Sequence, residues 1–360
     1  MNIIYITRHF NHSGYEIFRT LIERNIQIKG VILQNINTVP RTALGHCISS
    51  FVYKLKCLWY RCDPLKNTNS EVLLAKKHKI PIIYLDSIRT ESAYNQIKAF
   101  EPDLIVLGGG WHELLPQRIY SMPRLGCINT HPSLLPEFRG TAVHRWQILN
   151  GIQKSGVTIH YVNSRFDAGE ILVSEAIEVN EETTPQELFS RTARVAAETM
   201  PRLIAKFSEF GSQPTIQREG NPVFCKYYSK WSWNEDELRI KWNSPLRKIH
   251  FHVLANTQES YEYAGPWFLF KGRRYILRKT RIHDRISTKS RGNNCLHCDT
   301  ALFVVDADET SIFLGNKIDP DILELVQVQR DDRFRQFRRA YPATTLGARP
   351  GDVFCSMKEA

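Results

Sequence analysis

Apolar residues fall at two alternating spacings over the first half of the chain. Residues 2–7 (Asn-Ile-Ile-Tyr-Ile-Thr) read as a buried strand. Tyr15, Ile17, Phe18, Leu21 and Ile22 then recur at helical intervals, predicting a helix over 14–25. Strand character returns at 28–33. A strand, helix and strand in this order predict a parallel pair joined by a right-handed crossover. The alternation continues with a helix over 71–79, a strand over 81–85, a helix near 91–100 and a strand over 104–107 that ends in Gly108-Gly109-Gly110. Glycines at a strand's C-terminal end either let backbone amides approach a ligand or form a flexible turn. The loop after the first strand, Arg8 to Gly14, is not GxGxxG, so a dinucleotide-binding reading lacks its main support.

Residues 41–66 interrupt this pattern. Within them, Phe51, Val52, Leu55, Leu58 and Trp59 beside Lys54, Lys56 and Arg61 read as a basic amphipathic helix. Such a helix lies on a membrane or partner, or packs on its own domain; the last is the expectation here. Gly211, Pro214, Gly220 and Pro222 mark a linker over 206–225. Beyond it, short strand-like runs at 238–242, 262–270, 274–282, 301–305 and 311–314 surround a helix near 245–255. The expected division is a catalytic domain over 1–205, a linker over 206–225, a smaller β-rich domain over 226–330 with an OB-like barrel as one form, and a partly disordered tail over 331–360.

Composition narrows the class. The 360 residues carry 42% apolar and 24% charged side chains, ordinary for a globular protein. No run is long and apolar enough to span a membrane, and the N-terminus lacks a secretory signal, so a cytoplasmic location is expected. The formal charge of +11 favours anionic partners without choosing among them. Residues 271–291 hold nine Lys or Arg against one acid, Asp284, and present a candidate phosphate or nucleic-acid contact. The eight cysteines are irregularly spaced and read as reduced thiols. Cys295 and Cys298 form one CxxC with no second ligand pair, so no metal site is expected.

Candidate chemistry concentrates between Gly126 and Leu172. The run Cys127–His131 predicts a strand stopped by Pro132, with Asn129 and His131 on one side because they stand two apart. A loop over 133–140 leads to a helix over 142–150, capped near Gly151, and then to a strand over 157–162. Asp167 falls in a turn before another apolar strand, where an aspartate either shapes the turn or serves chemistry. The ordered set Asn129-x-His131-x-Ser133-Leu134-Leu135-Pro136, Arg139-Gly140, Gly156-Val157-Thr158-Ile159-His160 and Asp167-x-Gly169-x-Ile171-Leu172 resembles the folate-dependent formyltransferase family. The resemblance covers roughly residues 1–205 and is strongest over 101–205. Where family members often carry Pro before the Ile, this chain has Glu170.

The resemblance implies an α/β fold with a Rossmann-like catalytic domain and 10-formyltetrahydrofolate as co-substrate. It implies catalytic roles for Asn129, His131 and Asp167. Leu107, Gly108, Gly109, Gly110, Trp111 and His112, with Ser133 and Leu134, would line the pterin pocket. Asn129 would donate to the developing oxyanion, His131 would stabilise it or act as general acid or base, and Asp167 would orient the imidazole. His160 reads as structural and His144 as an acceptor contact. The expected acceptor is a small, phosphate-bearing amine such as an amino-sugar nucleotide. Methionyl-tRNA formylation, hydrolysis of formyltetrahydrofolate and a non-catalytic nucleic-acid-binding role are the alternatives.

Overall fold

The computed structural model describes residues 1–8, 11–34, 71–111, 113–209, 214–217, 223–229, 234–256, 265–284, 302–307, 311–315, 321–331, 340–348 and 353–354. The expected helix within 41–66, Cys295 with Cys298, and His112 lie outside these residues. The described elements run β1 (Ile3–Arg8), α1 (His12–Glu23), β2 (Ile28–Gln34), α2 (Glu71–Lys77), β3 (Ile82–Leu85), α3 (Glu91–Lys98), β4 (Leu104–Leu107), α4 (Gln117–Tyr120), β5 (Cys127–His131), β6 (Arg139–Gly140), α5 (Val143–Leu149), β7 (Lys154–Tyr161), β8 (Ile171–Glu178), α6 (Pro185–Glu209) and β9 (Tyr227–Tyr228). They continue with α7 (Glu235–Leu238), α8 (Leu246–Asn256), β10 (Trp267–Phe270), β11 (Arg273–Asp284), β12 (Leu302–Ala307), β13 (Ile312–Gly315), β14 (Asp321–Arg330), β15 (Tyr341–Pro342) and β16 (Val353–Phe354). The chain divides into two compact units.

The first unit comprises Met1–Gly140, Lys154–Glu178 and Phe189–Tyr228. Its sheet has the order β3-β2-β1-β4-β5-β7-β8. The strands from β3 to β5 are parallel, and β7 and β8 add on antiparallel. Ile4, Ile6, Ile32, Ile105 and Leu107 are buried on this sheet with Ile88, Ala93 and Ile97. Continuous apolar strands are what a sheet covered on both faces requires. The Asn11 side chain accepts the Gly14 N–H and Thr90 accepts the Ala93 N–H, fixing the starts of α1 and α3. The α/β reading of the sequence therefore holds.

The second unit comprises Thr141–Gln153, Val179–Leu188 and Ser229–Ala360. Its antiparallel sheet has the order β10-β11-β14-β13-β12-β16 around a core that includes Trp242, Leu246, Phe268, Leu277, Leu314 and Leu325. Strand pairing ends at β10 and β16, and no barrel closure is present among the described residues. The strand expected over 238–242 contracts to a single bridge between Arg239 and Trp267. The reason is local: Asn234 and Glu237 form a reciprocal capping box that starts α7 instead. Strand β14, which pairs along most of β11, is absent from the strands expected from sequence.

Candidate active site

Strand β5 lies between β4 and β7, and this register assembles the site. Leu107 pairs with Asn129, Asn129 with His160, and His131 with Thr158. Asn129 thus sits opposite a histidine far away in sequence. The Nδ1–H of His160 donates to the Tyr161 carbonyl at 2.8 Å, leaving Nε2 to accept from Asn129 Nδ2 at 3.3 Å. The other Asn129 amide hydrogen is directed at Asp167 Oδ1, 3.4 Å away.

His131 is 3% exposed, with Nε2 donating to the Phe138 carbonyl at 2.7 Å and Nδ1 lying 3.5 Å from Asp167 Oδ1. The Phe138 backbone is itself fixed: its N–H donates to Phe224 O at 3.0 Å, and its ring stacks on Phe224 and Tyr228. Burial pushes the His131 pKa below that of free histidine, against the opposing pull of the Asp167 carboxylate and the Phe138 carbonyl. The ring is therefore neutral at neutral pH, with Nδ1 as its free base.

Asp167 occupies the left-handed region at φ +50°. Aspartate tolerates this conformation better than most side chains. Its Oδ2 accepts the Gly140 N–H at 2.9 Å, and His160 Nε2 stands 3.7 Å from Oδ1. Burial opposes ionisation, but His131, His160 and the Gly140 N–H outweigh it and hold the carboxyl well below the usual carboxylate range. The structure thus brings together Asn129, His131 and Asp167. It adds His160, which the sequence presented as structural; only the strand register reveals its place.

The glycine segment leaves β4 under tight constraint. The Gly108 N–H donates to Ile6 O at 2.9 Å, and a Cβ on Gly108 would stand 1.7 Å from Tyr5 Oη. Gly109 and Gly110 have φ of +92° and +76°, and no described residue lies within 4 Å of where a Gly109 Cβ would be. Trp111 packs against the first unit's core, and its buried Nε1–H has no partner among the described residues. Ser133 is buried and donates to Glu137 O at 2.6 Å, shaping its loop, while Leu134 packs against Gly156. His144 is buried on α5 in the second unit. Among the described residues no cluster of three or more His, Cys, Asp or Glu side chains is arranged to hold a metal.

The basic stretch also resolves into particulars. Arg274 pairs with Glu235 and Asp331, Arg281 pairs with Glu324, and buried Arg278 donates to Gln329 at 2.7 Å. Irregular register between Leu277 and Thr280 breaks the two-residue alternation, so residues 273–284 do not form one uniform basic face; Arg285, Lys289 and Arg291 lie outside the described residues.

A family model described as "Formyl transferase" matches residues 65–204. A methionyl-tRNA formyltransferase of Geobacillus is 35% identical over 183 residues, 50% of this chain and 54% of that protein. One from Bacillus cereus is 31% identical over 237 residues, 66% of this chain and 67% of that protein. Among solved structures, the sugar 3N-formyl transferase WlaRD superimposes with a TM-score of 0.60 at 16% identity, covering 91% of this chain and 97% of its own. The N-formyltransferase of Helicobacter canadensis, solved with folinic acid and dTDP-3-aminofucose, gives 0.57 at 15% identity and covers 91% and 99%.

Proposed function

The chain belongs to the formyl transferase family, and from that premise we propose that it transfers a formyl group from 10-formyltetrahydrofolate to an amine at Asn129, His131 and Asp167. The observation that carries this reading is an amide and an imidazole from the end of β5, Asn129 and His131, each lying within 3.5 Å of the same Asp167 carboxylate oxygen.

Two features fit a folate. No described residue lies within 4 Å of where a Gly109 Cβ would be, and the buried Trp111 Nε1–H, without a partner among the described residues, would donate to a polar ring that reached it. Leu107 to Trp111, with Leu134, would hold it. When bound, the folate supplies an activated formyl carbon. His131 Nδ1 takes the proton that the attacking amine sheds, because Nε2 is committed to the Phe138 carbonyl. The resulting imidazolium is stabilised by Asp167 at 3.5 Å. Asn129 exchanges one of its long amide bonds for the oxygen on which negative charge develops. His131 then returns its proton to the departing nitrogen.

For the acceptor, a small amine such as an amino-sugar nucleotide is favoured by the internal pairing of Arg274, Arg278 and Arg281, which leaves those arginines engaged within their own unit. The exposed Phe166 and Tyr227 rings, 6.1 Å apart, give a flat group a surface next to Asp167. Methionyl-tRNA is the second reading, favoured by the curated sequence relatives. The test is purified protein with 10-formyltetrahydrofolate and, in separate reactions, amino-sugar nucleotides and charged initiator tRNA, following tetrahydrofolate release and acceptor mass. Turnover that needs no amine, or none with any acceptor, overturns the reading.

A further inference from the structure

We propose that Gln217 is a positioning residue for this reaction: its side-chain amide ties the Asp167 turn to the Arg139–Gly140 strand and keeps the carboxylate at His131. The role in catalysis rests on the functional reading above; the geometry does not.

A glutamine amide has two donor hydrogens and one acceptor oxygen. Gln217 uses all of them. Nε2 donates to the Asp167 carbonyl at 2.9 Å and to the Gly169 carbonyl at 2.8 Å. Oε1 accepts from Arg139 through Nε at 3.2 Å and through Nη2.

The two ends of this bridge are the segments that set the site. On one side is the turn that places Asp167 at φ +50°. That turn is tightly closed, since a Cβ on Gly169 would stand 1.7 Å from Tyr161 O. Regular pairing with β7 resumes only where Tyr161 N–H meets Glu170 O, so the Asp167 and Gly169 carbonyls take the side-chain amide instead. On the other side, Arg139 stands between Phe138, whose carbonyl holds His131 Nε2, and Gly140, whose N–H holds Asp167 Oδ2. Gln217 therefore couples the backbone behind the carboxylate to the backbone that holds both partners. Its own position is fixed by Thr215, which exchanges two 2.7 Å backbone bonds with Ile171 at the start of β8.

The side-chain type follows from these contacts. Glutamate keeps the length and the acceptor for Arg139 but sets carboxylate oxygens against two carbonyls. Methionine keeps the bulk and loses every hydrogen bond.

The test uses Gln217→Glu and Gln217→Met in the full chain, with steady-state kinetics and a ¹⁵N-histidine NMR titration. The charged or titratable groups facing His131 are Asp167, His160 and Arg139. As Asp167 drifts away, the His131 midpoint should move to lower pH in Gln217→Met while that of His250 stays; the carboxylate added in Gln217→Glu opposes this shift, so that variant is read by its kcat. The kcat should fall by about 10–100-fold, the scale expected for a small misplacement. The KM for the folate should stay within about threefold. Arg139→Lys, which keeps the positive charge and breaks the two-nitrogen contact with Gln217 Oε1, should give the same displacement and serves if the Gln217 variants do not fold. Variants that are folded and keep both the parental His131 midpoint and the parental kcat overturn the proposal. A parent that transfers no formyl group, yet shows the displaced midpoint in the variants, overturns the functional reading and supports the positioning role.

Discussion

His131 stands between two acceptors, the Phe138 carbonyl at Nε2 and the Asp167 carboxylate facing Nδ1. The neutral ring serves as base, and its burial pushes the pKa down. Formyl transfer should therefore fall off on the acid side with a midpoint below that of free histidine, about 6.5. A pH profile of kcat/KM checks this, and a midpoint above 7 would assign the base elsewhere. His131→Ala should abolish transfer while circular dichroism and unfolding change little. Asn129→Ala should lower kcat by ~10²–10³-fold, the usual effect of removing one oxyanion donor. The same substitution should leave folate binding, read by titration, nearly intact.

At the scale of elements, short strands do the positioning. Pro132 ends β5 just after His131, and the two-residue pairing of β6 with β9 brings Gly140 N–H to Asp167. Gly140 is confined: its φ is +112°, and a Cβ would stand 2.1 Å from Tyr228 O. Gly140→Ala should part β6 from β9, lower stability by about 1–3 kcal/mol through backbone strain, and cut the rate at least tenfold because the carboxylate loses a fixed donor. Chemical denaturation alongside initial rates measures both. Unchanged kinetics would show that the β6–β9 pair is dispensable for the site.

For the molecule as a whole, two further outcomes follow. His250 on α8 is 1% exposed and bonds to Thr280 Oγ1 and to Glu181 O at 2.8 Å. Burial pushes its pKa down to about 4, from about 6.5 for free histidine. Between these values the unfolded chain binds a proton that the folded chain refuses. Stability is thus full above about 6.5 and is lost as pH falls toward 4, by roughly 3 kcal/mol from this group. His250→Gln should flatten that part of the stability curve in denaturant titrations at stepped pH. Salt dependence separates the two acceptors. A small amine's KM should rise only a few-fold between 50 and 200 mM salt, whereas a tRNA held by 6–10 phosphates would weaken by roughly 10³–10⁵-fold.

The sequence by itself determined the parallel core of the first unit, because buried strands and amphipathic helices leave a local record in apolar spacing. Ile3–Arg8, Leu104–Leu107 and Cys127–His131 were legible in this way. Asn129 and His131 were legible as a same-face pair, and the ordered motif pointed to Asp167. Tertiary structure alone decided the rest. His160 joins Asn129 only through the β5–β7 register, Phe138 O reaches His131 across a loop, and Gln217 lies in a stretch that read as a linker. In the second unit, Arg274, Arg278 and Arg281 read as basic surface until their partners on other segments came into view. The physical reason is the same throughout. Periodicity encodes which face of an element is buried, but hydrogen bonds between distant segments depend on strand register and loop closure, which no local pattern records.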